Sequence, residues 1–378
     1  MTTTFPRIRT LGMLCAVTLT LAGGAVGAED APKPTINNLR HVEGQATVPL
    51  TADIPFVKRG NGPVTLVLIP GAAFDASVWD EFMARHTERY TMYAITPPGH
   101  GGTPAYPMPE DPESFESTPW SDALVDGVVR LIRRQGLEKP IIVGHHLMGD
   151  HYAMRLALDH PDLIGGVAVV SGSPARVMFD PKNPPKSAGE MFDVPREAQL
   201  ERVNQQWVPF FRAVSREQFL ANSYKAPALT KTSADKGARL ERAIETVPLP
   251  VQVRYYLEYL TTNLTTRFAE FAVPVSVITP RKDLESILAS IGAQAERNGQ
   301  DPQKAREAML DRMTARYGSR EAAIEQITGD PHWEFLKSRS PRIVVEFIPD
   351  AAIFVMDDQP AAFDAALERL IQRSIAAR

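Results

Sequence analysis

Cysteine is nearly absent from this 378-residue chain: the single Cys15 sits in an apolar N-terminal run, and nothing after it carries a thiol. Downstream of that run this excludes disulfides, thiolate metal sites and a cysteine nucleophile. Stability must come from burial, and a remainder of roughly 350 residues is long enough to build a large core, as one domain with insertions. An excess of positive charge is missing too. The 41 Lys and Arg against 45 Asp and Glu leave a formal net charge of −4, and with no basic cluster this argues against nucleic acid as a partner. Internal repeats and long low-complexity tracts are also lacking.

The N-terminus has the three parts of a secretory signal. Arg7 and Arg9 precede an apolar run from Leu11 to Leu21, too short to span a membrane comfortably, and Val26-Gly27-Ala28 supplies a small-residue cleavage site before Glu29-Asp30. Export to the periplasm or medium is expected, with no membrane anchor after cleavage near Ala28. An uncleaved anchor helix is the competing reading. Lipid attachment at Cys15 is disfavoured, because Met13-Leu14 puts no small residue before it.

Further along, the apolar pattern alternates between strands and helices. Val64–Ile69 is a continuous β-branched and leucine run, as in a strand buried on both faces of a parallel sheet. Similar runs occur at Tyr90–Ile95, Ile141–Val143, Val167–Val170, Val273–Ile278 and Ile343–Ile348. Helical spacing is expected near Ser77–Trp79, over Trp120–Gln135, through Met154 and Leu158, and over Ala361–Ile371. This alternation predicts an α/β fold with a doubly wound, mostly parallel sheet. From Pro174 to about Phe271 the strand signal stops. Leu200–Ala213 and Val251–Leu260 read there as aromatic-rich amphipathic helices. The expected organisation is a signal peptide (1–28), an N-terminal arm (29–56), a first core part (57–173), a helical cap (174–270), and a second core part (271–378) with a charged helical insertion (284–341) before the last strand.

The most informative stretch is Ile141-Ile142-Val143-Gly144-His145-His146-Leu147-Met148-Gly149-Asp150. A buried strand breaks into a tight turn and then a helix, which is where a G-x-S-x-G nucleophile elbow sits. Leu68-Ile69-Pro70-Gly71 with Trp79, Pro98-Gly99-His100-Gly101-Gly102-Thr103-Pro104 and Ile348-Pro349-Asp350-Ala351-Ala352-Ile353-Phe354 accompany it in order. Across almost all of the chain after the signal, this set resembles the cap-bearing members of the α/β-hydrolase superfamily. The resemblance implies the nucleophile at His146, the acid at Asp283 and the catalytic histidine at Ile353. Of these only the acid is of the usual type, and a triad without its nucleophile and base has no attacking oxygen and no proton shuttle. The small residue wanted two places after the nucleophile is displaced as well: Met148 stands there and Gly149 follows. A shifted turn is one reading, and a strained turn at His146 is the other.

Several side chains carry two readings. His146 either pairs with Asp283 as a general-base dyad or packs in a dead pocket. His145, His146, Asp150 and His151 form a local cluster, but no metal and no cofactor is expected. His100 reads as a structural loop residue or as pocket lining. Asp283 is a site acid or a surface acid beside Arg281 and Lys282. The resemblance places oxyanion donors at Gly71-Ala72 and at the amide of Leu147. Trp207, Phe210, Phe211, Tyr255, Tyr256 and Tyr259 pack cap on core, and some of them should roof the pocket. His332-Trp333 holds a spare histidine, too far away to replace the missing base. The leading functional expectation is a degenerate hydrolase that binds a small, largely apolar carbonyl or ester-like compound between cap and core. The alternatives are an active hydrolase or proton-abstracting enzyme using His146–Asp283, and a partner-binding scaffold built on the 284–341 insertion. The sequence assigns no oligomeric state.

Overall fold

The computed structural model of the chain describes residues 37–40, 46–172, 192–221, 223–281, 283–297, 299–328 and 331–377. The expected signal, Cys15, the first part of the arm and the start of the expected cap therefore lie outside the described residues.

Seven strands form one sheet in the order β1-β3-β2-β4-β5-β6-β7. They are β1 (Phe56–Arg59), β2 (Val64–Ile69), β3 (Tyr90–Ile95), β4 (Ile141–His145), β5 (Gly166–Val170), β6 (Val275–Pro280) and β7 (Ile343–Ile348). All neighbours are parallel except β1, which runs antiparallel along β3. The central β4 and β5 are buried at every position, which explains their unbroken apolar runs. The expected mostly parallel α/β sheet is the observed one.

β1 starts at Phe56, a residue expected in the arm. It is an edge strand whose FVKR sequence is largely exposed, so it has no burial alternation to read. Upstream, Thr47 makes an isolated parallel bridge to Ala105. The helix expected near Ser77 is a 3₁₀ turn, Ala76–Trp79, running into α1 (Asp80–Arg85). α2 (Pro119–Arg134) and α3 (Met148–Asp159) follow.

Between β5 and β6 the described chain is helical. Leu200–Ala213, expected as one helix, is broken: Arg196–Arg202 and Val208–Ala213 are joined by a π-turn over Val203–Trp207. Pro209 lies in the first turn of the second piece, where it cannot donate to the preceding turn, so the ladder widens just before it.

Buried charges fasten these helices to the sheet layer. Glu258, on the Leu249–Leu260 helix, accepts from the amides of Trp120 (3.3 Å) and Ser121 (2.7 Å) at the start of α2, and from Arg254 Nε at 2.7 Å. Asp358 accepts from Thr230 Oγ1, from the Lys231 amide at 3.0 Å and from the Ala352 amide at 2.8 Å. Beside it, Asp357 meets the Lys236 ammonium at 2.6 Å.

The helices Leu284–Arg297, Pro302–Tyr317 and Arg320–Thr328 enclose a small apolar cluster of their own, including Ile287, Met309, Leu310, Met313, Ala323 and Ile327. These three helices stand beside the main core, whereas Leu336 on the following Pro331–Arg339 helix is buried in it.

Candidate functional site

The site sits at the carboxyl ends of β2, β4 and β5, where parallel α/β sheets place their ligands. The amide of His146 still donates to the Val170 carbonyl at 2.8 Å, so the strand ladder continues into the turn. Two consecutive residues then take left-handed backbone, His146 (φ 26°) and Leu147 (φ 63°, ψ −92°), before α3 begins at Met148.

Two glycines show why the turn is built this way. A Cβ on Gly144 would lie 2.1 Å from the Gly149 carbonyl oxygen, and one on Gly149 would lie 2.5 Å from that of Pro70. Strand and helix therefore meet as closely as a nucleophile elbow requires. In G-x-S-x-G three residues separate the glycines, whereas here 145–148 intervene. The close approach to the strand is thus made at Gly149, one place beyond the motif's second glycine, while Met148 occupies that glycine's position. Positive φ falls on His146 and on Leu147 alike, so the strain of the turn is spread over two residues.

The His146 ring is nine-tenths buried and held at both nitrogens. Nδ1 lies 2.8 Å from the Ser171 carbonyl oxygen and Nε2 lies 3.0 Å from the Tyr224 hydroxyl. A carbonyl only accepts, so Nδ1 carries the proton; in the neutral ring Nε2 is the acceptor and the phenol donates to it. Ser171, just past β5, itself has φ 51°, a conformation costly for a residue with a side chain. Backbone strain at 146, 147 and 171 thus surrounds one imidazole.

His146, Leu147 and Met148 line a cavity of about 120 Å³, together with Ala72, Ala73 and Phe74 from the loop after β2. Phe210, Phe211, Phe219, Tyr224, Ile244 and Tyr256 supply the opposite wall, and Ser223 and Gln252 are also at its edge. An apolar space of this order takes a benzene-sized molecule. Of the six aromatics named from sequence, Phe210, Phe211 and Tyr256 face it. Trp207 stacks on Phe211, Tyr255 donates to the Pro98 carbonyl at 3.2 Å, and Tyr259 stands edge-on to His151.

Asp283 is not brought to His146. It is exposed at the start of the Leu284–Arg297 helix and accepts from the Ser286 amide at 2.7 Å and its hydroxyl at 2.9 Å. Those bonds, the backbone one first, hold its carboxyl below the usual range. Capping orphan helix amides outcompetes any pairing across the site, so the expected His146–Asp283 dyad is not formed. Ile353 is half-buried, and its carbonyl lies 3.1 Å from His145 Nε2. Gly71 packs against His145 and His146, where a Cβ would lie 2.9 Å from His145 Nδ1. Ala72 is on the cavity wall.

His145 is fully buried between Trp79 and Phe354. His100 is buried against Tyr255. His151 is buried beside Tyr152, and Asp150 packs against Gly172. Among the described residues no group of three His, Cys, Asp or Glu side chains converges as a metal site. The side chains of His332 and Trp333 lie outside the described residues. Tyr224 and Ser171 carry no mark in the sequence reading. Ser171 was findable from its place at a strand's carboxyl end, but Tyr224 is 78 residues from His146 in a segment without strand signal.

A model of the alpha/beta hydrolase family matches residues 66–366, and the chain belongs to that family. It is 28% identical over 118 residues to 2-(acetamidomethylene)succinate hydrolase of Mesorhizobium japonicum, covering 31% of this chain and 38% of that protein. It is 26% identical over 121 residues to pimeloyl-[acyl-carrier protein] methyl ester esterase of Yersinia enterocolitica, covering 32% of this chain and 41% of that protein. The matches thus span about two-fifths of these relatives. Among solved structures, a thermophilic esterase from Thermogutta terrifontis superposes with a TM-score of 0.52 at 17% identity, covering 85% of this chain and 93% of that one. That likeness concerns the fold.

Proposed function

We propose that this chain binds a small, largely apolar carbonyl compound in the cavity between the sheet and the 196–260 helices, and forms no acyl-enzyme on a serine. The observation that carries the reading is His146 at the elbow, lining an aromatic-walled cavity with its tautomer fixed by Ser171. The relatives act on esters or hydrolysable carbonyl compounds by name, and the frame that would position such a group is kept while the hydroxyl nucleophile is not. The scaffold reading draws no support from exposed apolar surface. Among the described residues the exposed large hydrophobics are Phe56, Val57, Phe347 and Ile375, all outside 284–341.

The test is hydrolysis of p-nitrophenyl acetate, butyrate and octanoate by wild type and His146→Ala, beside calorimetric titration with 1-phenyl-2-propanone. Binding of the ketone without ester turnover supports the reading, and Ala72→Phe, which fills the cavity, should abolish it. Ester turnover that depends on residue 146, or absence of ketone binding, contradicts it. Export is a further part of the proposal, resting on the residue 7–28 pattern. Protein recovered from the periplasm or medium should begin near Glu29 by intact mass.

A further inference from the structure

We propose that His146 and Tyr224 are a proton-transfer couple that interconverts the keto and enol forms of a carbonyl compound in the cavity. The inference rests on the reading that the cavity takes such a compound, and it adds a reaction and a second catalytic residue.

The two side chains face one another at the cavity wall, with ring centroids 5.1 Å apart and Nε2 to hydroxyl 3.0 Å. Because the Ser171 carbonyl holds the proton on Nδ1, Nε2 is the basic nitrogen and points at Tyr224. A ketone entering between them would present a C–H bond to Nε2 and its carbonyl oxygen to the phenol. In the forward step the C–H bond breaks and its electrons form the C=C bond, while Nε2 gains the proton. The carbonyl π pair moves onto oxygen, which takes the proton of the Tyr224 hydroxyl and leaves the enol. The imidazolium then returns a proton to the phenolate across the same Nε2–hydroxyl contact seen in the structure. Both residues finish as they began, and no oxidant, reductant or water is consumed.

The surroundings favour this chemistry over hydrolysis. The turn that would carry a hydroxyl nucleophile presents imidazole and Leu147 instead, and the opposite wall is mainly Phe210, Phe211, Phe219 and Ile244. An apolar wall admits little water and strengthens a proton transfer between fixed partners. Ser171 is a positioning residue, because its strained carbonyl sets the tautomer.

The experiment follows loss of the α-proton signals of 1-phenyl-2-propanone and acetophenone in D₂O by NMR, at neutral pH, with binding read in the same tubes by saturation transfer. Wild type should exceed the buffer rate at least tenfold. Tyr224→Phe should lower the enzymatic part by ~10²-fold with binding retained, and His146→Gln should abolish it. Thermal unfolding of both variants confirms that they are folded. Binding without exchange above buffer overturns the couple and leaves the binding reading standing. Neither binding nor exchange overturns both. Exchange that survives in folded His146→Gln also overturns the couple.

Discussion

His145 Nε2 donates to the Ile353 carbonyl across 3.1 Å, linking the residue behind the elbow to the loop that would carry a catalytic histidine. The bond fixes a neutral, buried ring whose pKa is pushed down to about 4 by burial. His100 is likewise lowered to about 4 and His151 to about 3, burial being the first cause in each. A free histidine titrates near 6.5. As pH falls below that value the unfolded chain takes up protons that the folded chain refuses, so this stability is complete above pH 6.5 and is lost toward pH 4. The full loss is of the order of 3 kcal/mol for His145 and His100 and about 5 kcal/mol for His151, whose share is lost only toward pH 3. Thermal unfolding at pH 7.5 and 5.0 should show a marked fall in Tm. His145→Phe should be less stable at pH 7.5, by about 1–2 kcal/mol for the lost bond, and should show a smaller fall. An equal fall in the variant would mean that His145 contributes nothing to the slope.

Glu258 and Arg254 are both fully buried, and burial raises the Glu258 pKa against the pull of Arg254 and two α2 amides. Removing one member of such a pair strands the other. Glu258→Ala should cost about 3–5 kcal/mol in denaturant unfolding, and Glu258→Ala/Arg254→Met less than the sum of the single changes. Additive losses would show that the two charges are not coupled.

Restoring the missing side chains should not restore hydrolysis. In His146→Ser/Ile353→His, Met148 would still stand where the motif wants a small residue, and Asp283 would still cap the Leu284–Arg297 helix. Turnover of p-nitrophenyl butyrate should rise by less than tenfold over wild type. A rise of 10³-fold, the scale on which a positioned triad works, would show that neither Met148 nor the capping role of Asp283 keeps a triad from forming.

The sheet was legible in the sequence because its central strands are buried on both faces and so read as unbroken apolar runs. β1 was not, since the exposed Phe56-Val57-Lys58-Arg59 edge carries no such pattern. The elbow could be located, but Met148 before Gly149 left a strained turn and a shifted turn both open. That the close strand–helix approach falls on Gly149 became clear only from its contact with Gly144. The His146–Asp283 pairing failed because order along the chain says where an acid lies but not that Ser286 has already claimed it. Tyr224 was invisible for a related reason: its partnership with His146 depends on how the 196–260 helices fold over the sheet.

The most direct test of the central claim is the intact mass of the purified protein after incubation with an alkyl fluorophosphonate, which labels activated serines. The account predicts an unmodified mass, because the elbow offers His146 and Leu147 in place of a hydroxyl. A stoichiometric adduct mapping to a serine would contradict it and place acyl-transfer chemistry back in this protein.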